Sequence, residues 1–299
     1  MSVQSVKFTL NGVETSLTNS SGNNWTGTIT APSTTSYNLN ADHAYYASIS
    51  AEDDAGNITT KDYQDPTLGS SLKLRVLEKT APTQTLTFPT AGSYITTTGT
   101  PTFEWTVTDD GSGVDDSTIA ITIDGTTITS GITTTAISGG YSCSYTPSEP
   151  LSQGSHTYTV SADDFDGNTA TSASTSFTID TIAPSLTVTS PTDGLVTNQS
   201  TVTVSGETDD ATTRPVTVTV NGSSVTVDPS DSSFSTTVSL VEGSNTITVV
   251  ATDTAGNSTT VTRTVILNTA APTIVSVTLT PNPVDAGATY VVTAVVTDT

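Results

Sequence analysis

The residues best placed to do chemistry are carboxylates gathered in short loops. One run, Asp109-Asp-Gly-Ser-Gly-Val-Asp115-Asp116, contains four of them, including Asp110. A second, Asp163-Asp164-Phe-Asp166-Gly-Asn168, contains three more. Hard oxygen ligands at this density suit calcium, and the stretch from Asp164 to Asn168 reads as a fragment of a calcium loop, short of the full twelve-residue pattern. Asp109, Asp110, Asp115, Asp164 and Asp166 are therefore the candidate metal ligands, and Asp209, Asp210 and Asp253 form a second, sparser group. A structural reading competes with this one, because Asp and Asn are favoured in turns whether or not an ion is bound.

No other residues have catalytic spacing. His43 and His156 lie far apart in the chain, and neither has a local Ser or Cys partner. Walker-type and dinucleotide-binding glycine patterns do not occur. A glycosidase needs two carboxylates on one cleft floor, and the spacing here identifies no such pair. The sequence thus predicts no catalytic residue and no cofactor other than calcium. Cys143 is the single cysteine, so internal disulfides are excluded. It lies in Tyr141-Ser-Cys143-Ser-Tyr145, an alternating run that makes it a small buried hydrophobe. Lys7, Lys61, Lys73 and Lys79 all precede Pro82, so the rest of the chain lacks the lysine that an intramolecular isopeptide cross-link requires.

These loops must be held by strands. Only 33% of the 299 residues are hydrophobic, yet apolar residues alternate with Thr and Ser over long stretches, the pattern of half-buried strands. Three segments recur in order. Ala-x-Asp-x-x-Gly-Asn occurs at Ala51–Asn57, Ala162–Asn168 and Ala251–Asn257. Linkers ending in Ala-Pro close at Pro82, Pro184 and Pro272. Two-residue hairpin signals fall at Asn11-Gly12, Asp124-Gly125 and Asn221-Gly222. Recurrence of this kind marks an array of modules, and the spacing between linker prolines is close to the ~100 residues of an immunoglobulin-like sandwich. Trp105, in Phe103-Glu-Trp105-Thr-Val107, reads as a core aromatic.

The segment Ser190-Pro-Thr-Asp-Gly194, the Asp109 to Asp115 run, the Asp-x-x-Gly-Asn turns and the Ala-Pro linkers together resemble bacterial and phage immunoglobulin-like (Big-type) tandem repeats. Such repeats are found in surface adhesins, tail-associated virion proteins and accessory modules of polysaccharide-degrading enzymes. The resemblance implies an all-β chain of tandem immunoglobulin-like sandwiches in an extended rod. It specifies the fold far better than the function. The expected division is residues 1–79, an incomplete sandwich lacking its first two strands; 80–180 and 181–268, whole sandwiches; and 269–299, a two-strand tail.

The order of signals within a unit sets the expectation for the two ends. Asn11-Gly12 arrives too early for two strands to precede it, and the segment after Pro272 has only two alternating runs, Ile274–Leu279 and Tyr290–Val296. Each end has what the other lacks, so the tail is expected to complete the N-terminal sheet of another copy, head to tail, by strand donation. The alternatives are a chain cut at an arbitrary place, with disordered ends, and completion of a neighbouring virion or surface protein. The tail motif Pro281-Asn-Pro283-Val-Asp285 is similar to short immunoglobulin-like ends of phage structural proteins.

Charge narrows the partners. Asp and Glu total 29 against 7 Lys and Arg, a formal net charge of −22. Such a surface repels phosphate backbones and anionic membranes, which argues against nucleic acid. No apolar run approaches the ~20 residues of a membrane span, so no insertion is expected. The opening Met1-Ser-Val-Gln-Ser-Val lacks the regions of a secretory signal, so either a signal lies outside this sequence or the protein leaves the cell inside something else, such as a virion. The expectation is a non-enzymatic subunit of a surface fibre or phage virion, with a glycan or cell-surface receptor as possible partner. The alternative is a carbohydrate- or cell-binding adhesin stalk, or an accessory module of a secreted polysaccharide-degrading enzyme.

Overall fold

The computed structural model describes residues 2–170, 174–280 and 282–298, over which strands and sheets are counted. The chain is almost entirely β. A single 3-10 turn, Gly69–Leu72, is the one helical element among the described residues. No helix among them is long and apolar enough to cross a membrane. Two compact units form, Met1–Ile179 and Asp180–Thr299.

The first unit begins with β1 (Val3–Leu10), β2 (Val13–Ser16), β3 (Thr18–Ser21), β4 (Asn24–Thr26), β5 (Tyr45–Asp53), β6 (Ile58–Asp62) and β7 (Lys73–Leu74). One sheet runs β2-β1-β5-β6, with β7 also on β5, whereas β3 and β4 pair only with each other. The core beneath this sheet is small: Leu10, Tyr45, Ala47 and Leu72.

A complete sandwich follows. Its strands are β8 (Thr83–Phe88), β9 (Tyr94–Ile95), β10 (Phe103–Thr108), β11 (Val114–Ile123), β12 (Thr126–Ile128), β13 (Thr133–Ile137), β14 (Gly140–Tyr145), β15 (Gly154–Asp164) and β16 (Ser174–Ile179). They form two sheets, β13-β14-β10-β8 and β12-β11-β15-β16-β9. Alternation along β10, Phe103-Glu-Trp105-Thr-Val107, turns the three apolar side chains inward, where they are at most 1% exposed. Phe103 meets Tyr158 and Phe177 edge-on, and Cys143 is buried in the same core. Burial pushes the Cys143 thiol up to about 11.

The second unit repeats the plan with β17 (Ser185–Ser190), β18 (Leu195–Thr197), β19 (Thr201–Asp209), β20 (Thr217–Val220), β21 (Ser223–Val225), β22 (Ser233–Ser239), β23 (Gly243–Thr252) and β24 (Ser258–Leu267). Its sheets are β17-β19-β22 and β18-β24-β23-β20-β21, closed around a valine-rich core. The chain then forms β25 (Thr273–Thr280) and β26 (Val291–Thr297), which pair only with each other. Every residue of these two strands is exposed.

The recurrent signals do the same local work each time. Asn11-Gly12, Asp124-Gly125 and Asn221-Gly222 all have positive φ at both positions, the geometry of the tight turn that suits strand twist. In each Asp-x-x-Gly-Asn turn the Asp accepts from the Asn backbone N–H through Oδ1 and from the Asn side chain through Oδ2. The partners are Asp53 and Asn57, Asp164 and Asn168, and Asp253 and Asn257.

Candidate metal centres

Each complete sandwich gathers three carboxylates where its entering linker, the loop crossing from its first sheet to its second (β10 to β11, β19 to β20) and its Asp-x-x-Gly-Asn turn converge. In the first unit these are Glu78, Asp109 and Asp164, with ligand oxygens within 4.8 Å of one another. In the second they are Asp180, Asp210 and Asp253, gathered as closely. The correspondence is positional. Glu78 and Asp180 each stand four residues before a linker proline, and Asp109 and Asp210 each follow the last residue of β10 or β19. Asp164 and Asp253 open the turn.

Backbone amides fix each carboxylate. Asp109 Oδ1 accepts from Gly111 N and Gly113 N, and Glu78 Oε1 accepts from Ser112 N. Asp210 Oδ1 takes the amides of Thr212 and Thr213 at 2.7 Å each. Asp180 Oδ2 accepts the Thr213 hydroxyl and Oδ1 accepts Ile182 N. The turn asparagines also bind the linker directly: Asn168 Nδ2 donates to Glu78 O, and Asn257 Nδ2 to Asp180 O. Loop, linker and turn are thereby tied into one rigid cluster.

The second group is the drier. Asp180 is 0% exposed, Asp210 3% and Asp253 6%. Three buried carboxylates this close repel one another, and desolvation deepens the penalty. None of the ion pairs among the described residues reaches either group. Arg214, the nearest cation by bonding, spends its Nη2 on Asp209 and its Nε on the Asp210 carbonyl oxygen, not on the Asp210 carboxylate. A divalent cation is the chemistry that suits such a set: hard, anionic oxygens on a preformed frame, with backbone carbonyls and water to complete six to eight ligands.

Of the five ligands expected from the sequence, the structure brings Asp109 and Asp164 together. Asp110 is exposed beside them. Asp115 lies in β11 and caps its own turn, accepting from the Ser117 amide and hydroxyl. Asp166 faces the N-terminal sheet, where Oδ2 accepts from Thr35 Oγ1 and Glu78 N and Oδ1 lies 3.9 Å from Arg75. Asp210 and Asp253, from the sparser group, do converge, while Asp209 pairs with Arg214. Glu78 and Asp180 were missed. The signal that could have found them is an acid four residues ahead of the proline of Ala-Pro in two successive linkers. His156 is engaged at both nitrogens, Nδ1 with Asp124 Oδ2 at 2.6 Å and Nε2 with Ser152 O at 2.8 Å. His43 Nδ1 lies 2.5 Å from Tyr37 O and its ring stacks on Tyr37. The two histidines thus have separate partners.

Residues 90–181 match the family model of a bacterial immunoglobulin-like domain, and residues 184–269 match domain B of glucodextranase. No curated protein matches the chain. Among solved structures, it is similar to titin domains I67–I69, at 14% identity over 89% of this chain and 88% of that one, TM-score 0.45. It is also similar to the fibronectin(III)-like modules of Clostridium thermocellum CbhA, at 19% identity over 62% and 94%, TM-score 0.37. A bacterial ice-binding adhesin involved in host cell surface retention gives 24% identity over 89% and 87%, TM-score 0.33.

Proposed function

Starting from a bacterial immunoglobulin-like tandem protein, we propose that this chain is a non-catalytic structural subunit outside the cell, a stalk or fibre element that joins end to end by strand donation. One observation carries the reading: among the described residues the N-terminal region has no counterpart of β8 and β10, and the C-terminal hairpin repeats their pairing. The N-terminal sheet has the counterparts of β11, β12, β15 and β16, and on its other side only the short β3–β4 hairpin in the places of β13 and β14. The hairpin β25–β26 corresponds to β8 and β10, and pairs Thr273 with Thr297 as β8 and β10 pair Thr83 with Thr108. A two-stranded hairpin is marginal in water by itself, and this one exposes Ile274, Val277, Leu279, Val292, Val295 and Val296. An apolar surface of that kind calls for a partner.

The same proposal gives the two carboxylate groups a role: calcium bound at each would hold linker, loop and turn in one geometry and stiffen the base of the sandwich. The match of residues 184–269 to domain B of glucodextranase favours a second reading, an accessory module of a secreted polysaccharide-degrading enzyme. Retention on immobilised polysaccharide separates the two.

The assembly reading is tested by light scattering and negative-stain microscopy of the full chain beside a version ending at Asn268. Threads or oligomers from the full chain alone support it. Monomers from both at the same concentration overturn it.

A further inference from the structure

The N-terminal sheet leaves a cleft of about 720 Å³ lined by Val3, Val6, Leu17, Trp25, Ile49 and Ala51. Its floor is the inward face of β1 and β5, and its rim is β4. In the complete sandwich the corresponding space is filled by β10, which lies between β14 and β8. There Trp105 stands opposite Cys143, Thr106 opposite Ser142 and Val107 opposite Tyr141.

Register carries this arrangement across to the cleft. Ser21 faces Asn24 and Asn19 faces Trp25 in the β3–β4 pair, as Ile137 faces Gly140 and Ala136 faces Tyr141 in the β13–β14 pair. Trp25 therefore holds the place of Tyr141, and Thr26 that of Ser142. On the hairpin side, Thr297 holds the place of Thr108, so Val296, Val295 and Ala294 hold those of Val107, Thr106 and Trp105.

The side chains agree with that alignment. Val292, Ala294 and Val296 occupy the positions of Phe103, Trp105 and Val107, the three most buried residues of β10. The indole that β10 supplies is replaced by alanine in β26, while β4 brings Trp25 to a neighbouring place on the inward face. Each of these two cores, that of the complete first-unit sandwich and that of the N-terminal one, thus receives one of the chain's two tryptophans.

We infer that this cleft seats β26 of a second copy of the chain, antiparallel to β4, with Val296 opposite Trp25 and Val295 opposite Thr26. The inference rests on the end-to-end reading and specifies its joint. One slip of register would turn Val292, Ala294 and Val296 away from the core, so the pairing admits little choice.

Cysteine pairs read the register directly, because opposed residues on neighbouring strands bring Cβ atoms within reach of a disulfide whereas a two-residue slip does not. Thr26 and Val295 are outward-facing in this alignment, so their replacement spares the core. A mixture of Thr26→Cys and Val295→Cys chains under mild oxidant is expected to give a covalent dimer, at least tenfold more than a mixture of Thr26→Cys and Thr293→Cys. Equal yields overturn the register. Threads that form without the Thr26–Val295 cross-link leave the assembly reading standing and overturn this seat. A covalent monomer from the doubly substituted chain shows the hairpin folding back on its own N-terminal sheet, and overturns the second copy as occupant. Monomeric unsubstituted chains overturn both.

Discussion

Single residues divide into those whose work is local and those that act across the fold. Asp124 is of the first kind: it begins a tight turn and reaches back to His156 and to Thr157 N. Burial works hardest on its carboxyl, to raise it, but the hydrogen bonds from His156 and the Thr157 amide, with the His156 charge, together outweigh burial and hold the group below its ordinary value. A carboxyl lowered on folding adds stability above its unfolded value, near 4, and loses it as pH falls through the lowered one. Asp124→Asn should therefore cost about 1 kcal/mol at neutral pH, discounted because the side chain is 43% exposed. Urea titrations at pH 7 and pH 3 should show the wild-type advantage shrinking in acid; an equal gap at both pH values overturns the assignment. Cys143 gives a second prediction. Its thiol is buried and raised to about 11, so a thiol reagent should label it only on unfolding. Rapid labelling of the native chain overturns the packing described here. Trp105 should be the costliest truncation: Trp105→Ala opens a cavity in a closed core, at about 3–5 kcal/mol by chemical denaturation.

At the scale of elements, the convergence of linker, loop and turn predicts a response to calcium. Saturating calcium should raise the melting temperature, adding about 2.7 kcal/mol of stability per site when the free ion is one hundred times Kd. Asp180→Asn and Asp253→Asn should each remove the gain from the second unit while Asp115→Asn leaves it. A calorimetric scan that does not move with calcium or a chelator removes the ion from the proposal. Close approach of strands gives another test. A Cβ at Gly206 would collide with the Thr187 carbonyl oxygen and the Phe234 ring, so Gly206→Ala should cost about 1–3 kcal/mol. Much of this was legible in the sequence, because the carriers are local: Asn-Gly turns, Asp-x-x-Gly-Asn closures, and the alternation that places Trp105 and Cys143 inward. The acids Glu78 and Asp180 were not legible. Their partners lie about thirty and more residues away, and nothing short of strand pairing brings a linker beside a turn. The two-residue β9 was equally hidden, since so short a strand has no period to detect.

On the scale of the whole molecule, the same order of strands recurs, and what differs is whether a sandwich is closed. The prediction at this scale is that removing β25 and β26 abolishes end-to-end association while both complete sandwiches keep their unfolding transitions; calorimetry of the chain ending at Asn268 checks the second half. In the closed sandwiches, β9 lies parallel to β16, and β18 lies parallel to β24 with Leu195, Val196 and Thr197 opposite Val265, Ile266 and Leu267. Early and late strands are thus neighbours running the same way. A pull on the two ends of such a module drags these strands past each other lengthwise. Bonds such as Thr178 N to Ser93 O, Gly194 N to Thr264 O and Asn268 N to Thr197 O then bear the load together, in shear, instead of parting one by one. Each closed sandwich should then act as a mechanical fuse under such a pull: it holds until the whole patch gives way, and only afterwards lengthens.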